Sequence, residues 1–262
     1  MNPRRRSPGG LAGQRVWVVG ASSGIGAALA TELADRGARV AVSARRADHL
    51  AEVARGRMTA VPLDVTDGAA VAAAAEAVRE VLGGLDVVVW SAGHWQRSDA
   101  RAWDARAFAE HVEVNLLGLS AVLGAVLPPM VRAGAGHVVG IASVAGFRGL
   151  PGAEAYGSTK AAQIALLESL RASLWHAGVR VTTVAPGFVR TEMTARNTFP
   201  MPFLIDADEA ARTIADGLER GRLEIVFPWR MALVMKAARL VPVRAWAAIV
   251  APRRRPGSAR GR

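Results

Sequence analysis

Tyr156 is the only tyrosine in 262 residues, and Lys160 is one of two lysines among 33 basic residues. They stand four positions apart in "AYGSTKAAQ", the spacing that puts two side chains on one face of a helix. An ammonium beside a phenol favours the phenolate and lowers its pKa from ~10 toward neutrality. A tyrosine so placed can give or take a proton at physiological pH. Ser143 precedes Tyr156 by 13 residues and closes the apolar run "HVVGIAS". Its hydroxyl is placed to hydrogen-bond the same substrate oxygen. Near the N-terminus, "GASSGIG" carries Gly20, Gly24 and Gly26 directly behind the run "RVWVV". Glycines in that setting let the backbone turn sharply and approach a diphosphate held at a helix N-terminus.

These groups need elements to position them. Strand-like apolar runs at 15–20, 39–44, 58–63, 86–92, 137–143, 180–186 and 223–227 alternate with helical stretches at 25–36, 69–82, 105–132, 155–177 and 207–220. That alternation predicts an α/β fold, a Rossmann-like doubly wound sheet of about seven parallel strands with helices on both faces. Ligands of such sheets sit at the carboxyl ends of the strands, where the glycine loop, Ser143 and Tyr156 fall. The second strand ends in Ala44, Arg45 and Arg46, without the carboxylate that would hold a free ribose hydroxyl. Guanidinium groups suit a 2′-phosphate, with hydroxyls of Ser22 or Ser23 beside them. NADP(H) is therefore expected over NAD(H), the alternative being that both arginines are solvated surface. After the third strand, Asp64-Val65 could cover an adenine, or Asp64 could cap the next turn.

With these residues assembled, the chain resembles the short-chain dehydrogenase/reductase family over roughly residues 14–227. "GASSGIG", Ser91-Ala92-Gly93, Asn115 in "VNLLG", Ser143, "YGSTK" and "PGFVRT" occur in the family's order. The resemblance implies an oxidoreductase in which Tyr156 is the general acid or base. Lys160 would lower its pKa and bind the nicotinamide ribose, and Ser143 would polarise the carbonyl. Asn115 would carry a water linking Lys160 to solvent. Cofactor contacts would come from Gly20 to Gly26, Ile25 included, from the Asp64-Val65 and Ser91–Gly93 corners, and from Pro186, Gly187, Val189 and Thr191. The resemblance also implies a homodimer or homotetramer built through helices flanking the active site. Two positions depart from the family. Val19 stands where it usually has threonine, and Ser91 where it usually has asparagine, so a hydrogen-bonded brace between the two loops is lost or rebuilt.

The pocket-framing segments 94–103, 144–154 and 192–205 contribute Trp95, Phe147, Leu150, Met193, Phe199, Met201, Phe203 and Leu204. They suggest a hydrophobic carbonyl or alcohol as substrate, or an apolar lid packed on the core. His94 in the same loop is expected to be exposed and is not counted as catalytic. A protein that binds cofactor or a partner without turnover is the alternative on the same fold.

Charge separates body from ends. Residues 1–15 hold four arginines, and residues 228–262 hold nine basic residues, with no acid in either. Those ends account for more than the net +11, leaving −2 for residues 16–227. A nucleic-acid partner is thus not expected for the body. Residues 1–14 and 251–262 read as disordered basic tails. Residues 228–250 read as an amphipathic basic helical segment broken by Pro242. Met231, Val234, Met235, Ala238 and Val241 fall on its apolar half, and Arg230, Lys236 and Arg239 on the other. It either packs on the core or a partner subunit, or lies on a membrane surface. No apolar run reaches the ~18 residues of a spanning helix, and none follows the basic N-terminus as in a signal peptide. The cytoplasm is the expected location, with peripheral membrane contact through 228–262. No cysteine is present, which excludes disulfides and thiolate chemistry, and no metal site is expected.

Overall fold

A computed structural model describes residues 10–195 and 197–251. The elements run β1 (Arg15–Val19), α1 (Gly24–Asp35), β2 (Arg39–Ser43), α2 (Ala47–Ala54), β3 (Thr59–Ala60), α3 (Gly68–Leu82), β4 (Val87–Trp90), α4 (Ala105–Val112) and α5 (Gly118–Ala133). They continue with β5 (Gly136–Ile141), α6 (Glu154–Ser173), β6 (Val179–Pro186), β7 (Val189–Arg190), α7 (Glu192–Ala195), β8 (Ile205–Asp206), α8 (Ala207–Glu219), β9 (Glu224–Phe227), α9 (Trp229–Ala238) and α10 (Val243–Val250). A π-helical turn, Glu113–Leu117, joins α4 to α5.

Seven strands form one parallel sheet in the order β3-β2-β1-β4-β5-β6-β9. The expected doubly wound sheet is present. The chain reverses its direction of winding between β1 and β4, and this switch point opens a crevice at their carboxyl ends. Strand residues alternate between two cores. Val16 and Val18 pack with Leu29, Leu33 and Ile214 on one face. Trp17 and Val19 pack with Val78, Val122 and Leu167 on the other. Burial on both faces explains why these strands read as unbroken apolar runs. The helix through α4 and α5 is long and apolar enough to cross a membrane by length and composition. Leu119, Val122, Leu123, Val126 and Met130 instead seat it in the core.

Three expectations need correction. The ordered body begins before Arg15: Leu11 is 6% exposed within the first core, and the Gly13 amide donates to the Gly37 carbonyl at 2.8 Å. Residues 10–14 therefore belong to the domain rather than to the tail; residues 1–9 and 252–262 lie outside the described residues. A two-stranded ribbon, β7 with β8, was not foreseen, because its strands are two residues each. Segment 228–250 is two helices, and only Met231, Met235 and Ala238 are buried. Met231 and Met235 pack with Val144, Phe147 and Ile164 as a third cluster. Val234, expected on the packed side, is exposed. Arg148 donates to the Val241 carbonyl at 2.8 Å, and Trp246 Nε1 to the Gly149 carbonyl at 2.8 Å. The C-terminal helices thus clamp the segment leading into α6.

Candidate active site

One cavity of about 1020 Å³ opens over the carboxyl ends of β1, β4, β5 and β6. Its walls at one end are the glycine loop. Gly20 has φ +90°, and a Cβ there would stand 2.3 Å from the Ala92 amide nitrogen. A Cβ on Gly26 would stand 2.1 Å from the Gly20 carbonyl oxygen. Only glycine lets these two loops and α1 meet. That close packing joins the loops at the place where the departures at Val19 and Ser91 remove the family's usual threonine–asparagine brace; Val19 is fully buried in the core. Ser23 sits at the N-cap of α1 without capping it, so the first amides of the helix stay open toward the cleft. Ser22, Ser23, Gly24, Ile25, Val65, Ser91, Ala92, Gly93, Pro186, Gly187, Val189 and Thr191 all line the same cavity. The cradle and its open amides fit a dinucleotide.

Arg45 and Arg46 line the cleft beside the glycine loop. Arg46 donates to both Glu192 carboxylate oxygens at 3.0 and 2.7 Å and to the Ser23 hydroxyl at 3.0 Å. The Arg46 hydrogen bonds hold the Glu192 carboxyl down at about 2. Glu192 was not foreseen, since it lies 146 positions away. It links the loop after β2 to α7 across the cleft. Asp64 does not line the cavity. Its carboxylate accepts from the Thr66 amide at 3.0 Å and hydroxyl at 2.8 Å, so it caps a turn and Leu63 and Val65 take the cavity wall.

At the other end stand Ser143, Tyr156 and Lys160. Ser143 follows β5, and Tyr156 and Lys160 lie on the first turns of α6. Asn115 does not line the cavity; it is fully buried in the π-helical turn behind it. Its side chain clasps the loop after β4, accepting from the His94 amide at 2.6 Å and donating to the His94 carbonyl at 3.1 Å. It also donates to Thr159 Oγ1 at 3.0 Å.

The electrostatics differ from the expected phenolate. Burial pushes the Tyr156 phenol up to about 12, against an opposing hydrogen bond from Ser143. Burial also brings the Lys160 ammonium down to about 7. The ammonium points at protein acceptors, Ile141 O at 2.9 Å and Gln163 Oε1 at 3.0 Å, and lies 5.5 Å from the phenol ring centroid. Spacing alone put the two groups on one face; the desolvation of both, which spacing does not show, opposes the phenolate.

The substrate end is less apolar than expected. Of the eight apolar candidates, only Trp95, Met193 and Phe199 line the cavity, alongside Gln96, Arg97, Asn197 and Thr198. Trp95 meets Tyr156 edge-on with ring centroids 5.1 Å apart and is held by Asn197 Oδ1 at 3.0 Å. Phe147 is in the core under the C-terminal helices, with Leu150 packed against that cluster. His94, set aside as an exposed loop residue, is half-buried and lines the cavity. Burial lowers its pKa, helped by the adjacent His111 ring, and its buried Nε2 has no hydrogen-bond partner.

The short chain dehydrogenase family matches residues 14–200. This chain belongs to that family. An uncharacterized oxidoreductase of Myxococcus xanthus is 42% identical over 231 residues, covering 86% of this chain and 91% of that one. A short chain dehydrogenase from Burkholderia cenocepacia, solved in complex with NADP, superposes with a TM-score of 0.82 at 27% identity, over 93% of this chain and all of that one. A variant of actinorhodin polyketide ketoreductase solved with NADPH gives 0.74 at 25% identity, over 82% of this chain and 95% of that one. This short-chain dehydrogenase is thus an oxidoreductase of a family that binds nicotinamide cofactors.

Proposed function

We propose that this short-chain dehydrogenase is an NADP(H)-dependent enzyme interconverting a hydrophobic carbonyl and its alcohol, with Tyr156 as general acid and base. The observation that carries this is one continuous cavity. It joins a glycine cradle and two arginines at one end to Ser143, Tyr156 and Lys160 at the other. NADPH, when bound, supplies a hydride to the carbonyl carbon. Ser143 donates a hydrogen bond to the carbonyl oxygen and holds it at the phenol. Tyr156 Oη delivers the proton to that oxygen, and in the oxidation direction takes it back. The high phenol pKa suits donation, since it keeps the proton on Tyr156 until charge develops on the substrate oxygen. Trp95, Met193 and Phe199 face an apolar substrate, and Arg97 and Gln96 meet its polar end. NADPH consumption against aldehydes and ketones graded by chain length and ring count tests the reading. Binding of NADPH with no turnover across that panel would sink it in favour of a non-catalytic cofactor binder.

The preference for NADP(H) rests on Arg45 and Arg46, with NADP and NADPH in the two solved relatives as support. Arg46 would exchange Glu192 for the 2′-phosphate. Arg45→Asp or Arg46→Asp should each lower the NADPH-over-NADH preference about tenfold, the worth of one charge-assisted hydrogen bond. Glu192→Gln should raise it. An unchanged ratio in all three would refute the assignment.

The C-terminal face supports a place at the cytoplasmic surface of an anionic membrane. Trp229, Leu233, Leu240, Val243 and Ile249 are 64% to 86% exposed, and residues 228–262 carry nine basic residues and no acid. Exposed apolar groups among cations match a headgroup layer of negative charge. The full chain should co-sediment with vesicles containing phosphatidylserine and less with phosphatidylcholine alone. Leu233→Glu with Leu240→Glu should abolish binding. Equal recovery with and without vesicles would exclude the membrane. An oligomer, weighed by light scattering, that those substitutions dissolve would give the face to a second copy. A homodimer or homotetramer through α5 and α6 is a separate part of the proposal and should survive them.

A further inference from the structure

Gln163 lies at the centre of the site without a role in any of this. Tyr156, Lys160 and Gln163 are spaced i, i+4 and i+7, so one face of α6 carries all three. Gln163 is 1% exposed. Its Oε1 accepts from Lys160 Nζ at 3.0 Å, and its Nε2 donates to the Asn115 main-chain carbonyl at 2.5 Å. The amide has one workable orientation. Turned over, it would face an ammonium with an amino group and a carbonyl with an oxygen.

The three donors of the Lys160 ammonium are then accounted for. One goes to the Ile141 carbonyl and one to Gln163, and the third remains for the cavity that Lys160 lines. The Asn115 carbonyl belongs to the π-helical turn, where regular helical pairing is interrupted, and Gln163 satisfies it. The resemblance to the family gives Asn115 a water that links Lys160 to solvent. The Gln163 amide joins the Lys160 ammonium directly to the Asn115 main chain.

We propose that Gln163 is a positioning residue that fixes the Lys160 ammonium by tying it to the Asn115 main chain. This rests on the enzymatic reading above, but its test needs no substrate. Lys160 and Lys236 are the only lysines, so protein labelled with carbon-13 and nitrogen-15 lysine yields two side-chain signals. Lys236 is an exposed internal control on α9. In wild type, Lys160 should titrate well below the usual lysine range, as its burial requires. Gln163→Glu keeps the shape, adds a charge against the ammonium and removes the donor to Asn115; it should raise the Lys160 midpoint by about one pH unit or more. Gln163→Met removes the acceptor and should lower it. Lys236 should move in neither. Identical Lys160 titrations in wild type and both variants would overturn the proposal. Where the Met variant does not fold, the Glu variant decides alone. In turnover, both should move the pH limb of kcat/KM with the NMR midpoint. A uniform loss at every pH with an unmoved limb would reduce Gln163 to packing. Failure of Tyr156→Phe to stop turnover would instead count against the enzymatic reading and leave the titration result standing.

Discussion

The start of α6 and the C-terminal helices depart from ordinary burial in opposite directions. Around α6, Lys160, Asn115, Thr159 and Gln163 are all buried, although lysine is almost never fully buried unless paired. Each is satisfied by another member of the group or by nearby backbone. On α9 and α10, Trp229, Leu233, Val234, Val243 and Ile249 face outward, and Arg230 and Arg244 beside them are exposed. Buried polar groups pinned by each other hold chemistry in place. Exposed apolar groups with nothing of their own chain against them mark a surface that meets something else. The polar cluster and the exposed apolar face thus stand on opposite sides of α9, linked through Met231 and Met235, which pack on Ile164, and through the segment that Arg148 and Trp246 clamp.

The comparison breaks most visibly at Tyr156. Tyr156→Phe should lower turnover about 10³-fold or more, with NADPH binding, read by fluorescence, retained. A variant keeping most of its kcat would make the buried group structural. Next comes His137, a buried polar residue away from the cavity. Its Nε2 donates to Thr182 Oγ1 at 2.9 Å, and its Nδ1 faces Arg180. Burial, with Arg180 adding to it, pulls its pKa down to about 3. The folded state then binds fewer protons than the unfolded state between about pH 3 and 6.5, so stability is full above pH 6.5 and falls as pH drops. Urea midpoints should fall as pH drops through that window, and fall less in His137→Gln. An equal decline in the variant would place the acid sensitivity elsewhere.

The C-terminal half of the comparison predicts smaller effects. Met235→Ala removes a residue packed in the third cluster and should cost about 2–3 kcal/mol. Leu233→Ala, two positions away and exposed, should stay within about 0.5 kcal/mol in the isolated protein. Chemical denaturation of both sharpens the boundary between the seated and the free side of α9. Equal costs would mean that the face is not free.

Much of this could be read beforehand. The glycine loop, the two arginines, Ser143 and the Tyr156–Lys160 pair all lie in short stretches of strong local signal, and all reach one cavity. Asp64 was ambiguous because capping a turn and touching a ligand ask for the same residue type. Glu192 and His94 were missed as partners because their meaning depends on residues far along the chain. Gln163 was legible in principle, since i, i+4, i+7 continues the stripe of Tyr156 and Lys160. The apolar lid was over-read because hydrophobicity does not say whether Phe147 faces a ligand or a neighbouring helix.

By itself the sequence determined the strand–helix alternation, the winding of the sheet and the residue types at its carboxyl ends. Those follow from periodicity and turn chemistry, which act over a few residues. The tertiary structure alone decided the desolvation of Tyr156 and Lys160, the pairing of Arg46 with Glu192, the Gln163 bridge to Asn115 and the side of α9 that stays open. Each depends on which distant groups are packed within a few ångströms. Burial sets the dielectric there, and no local stretch of chain carries that information.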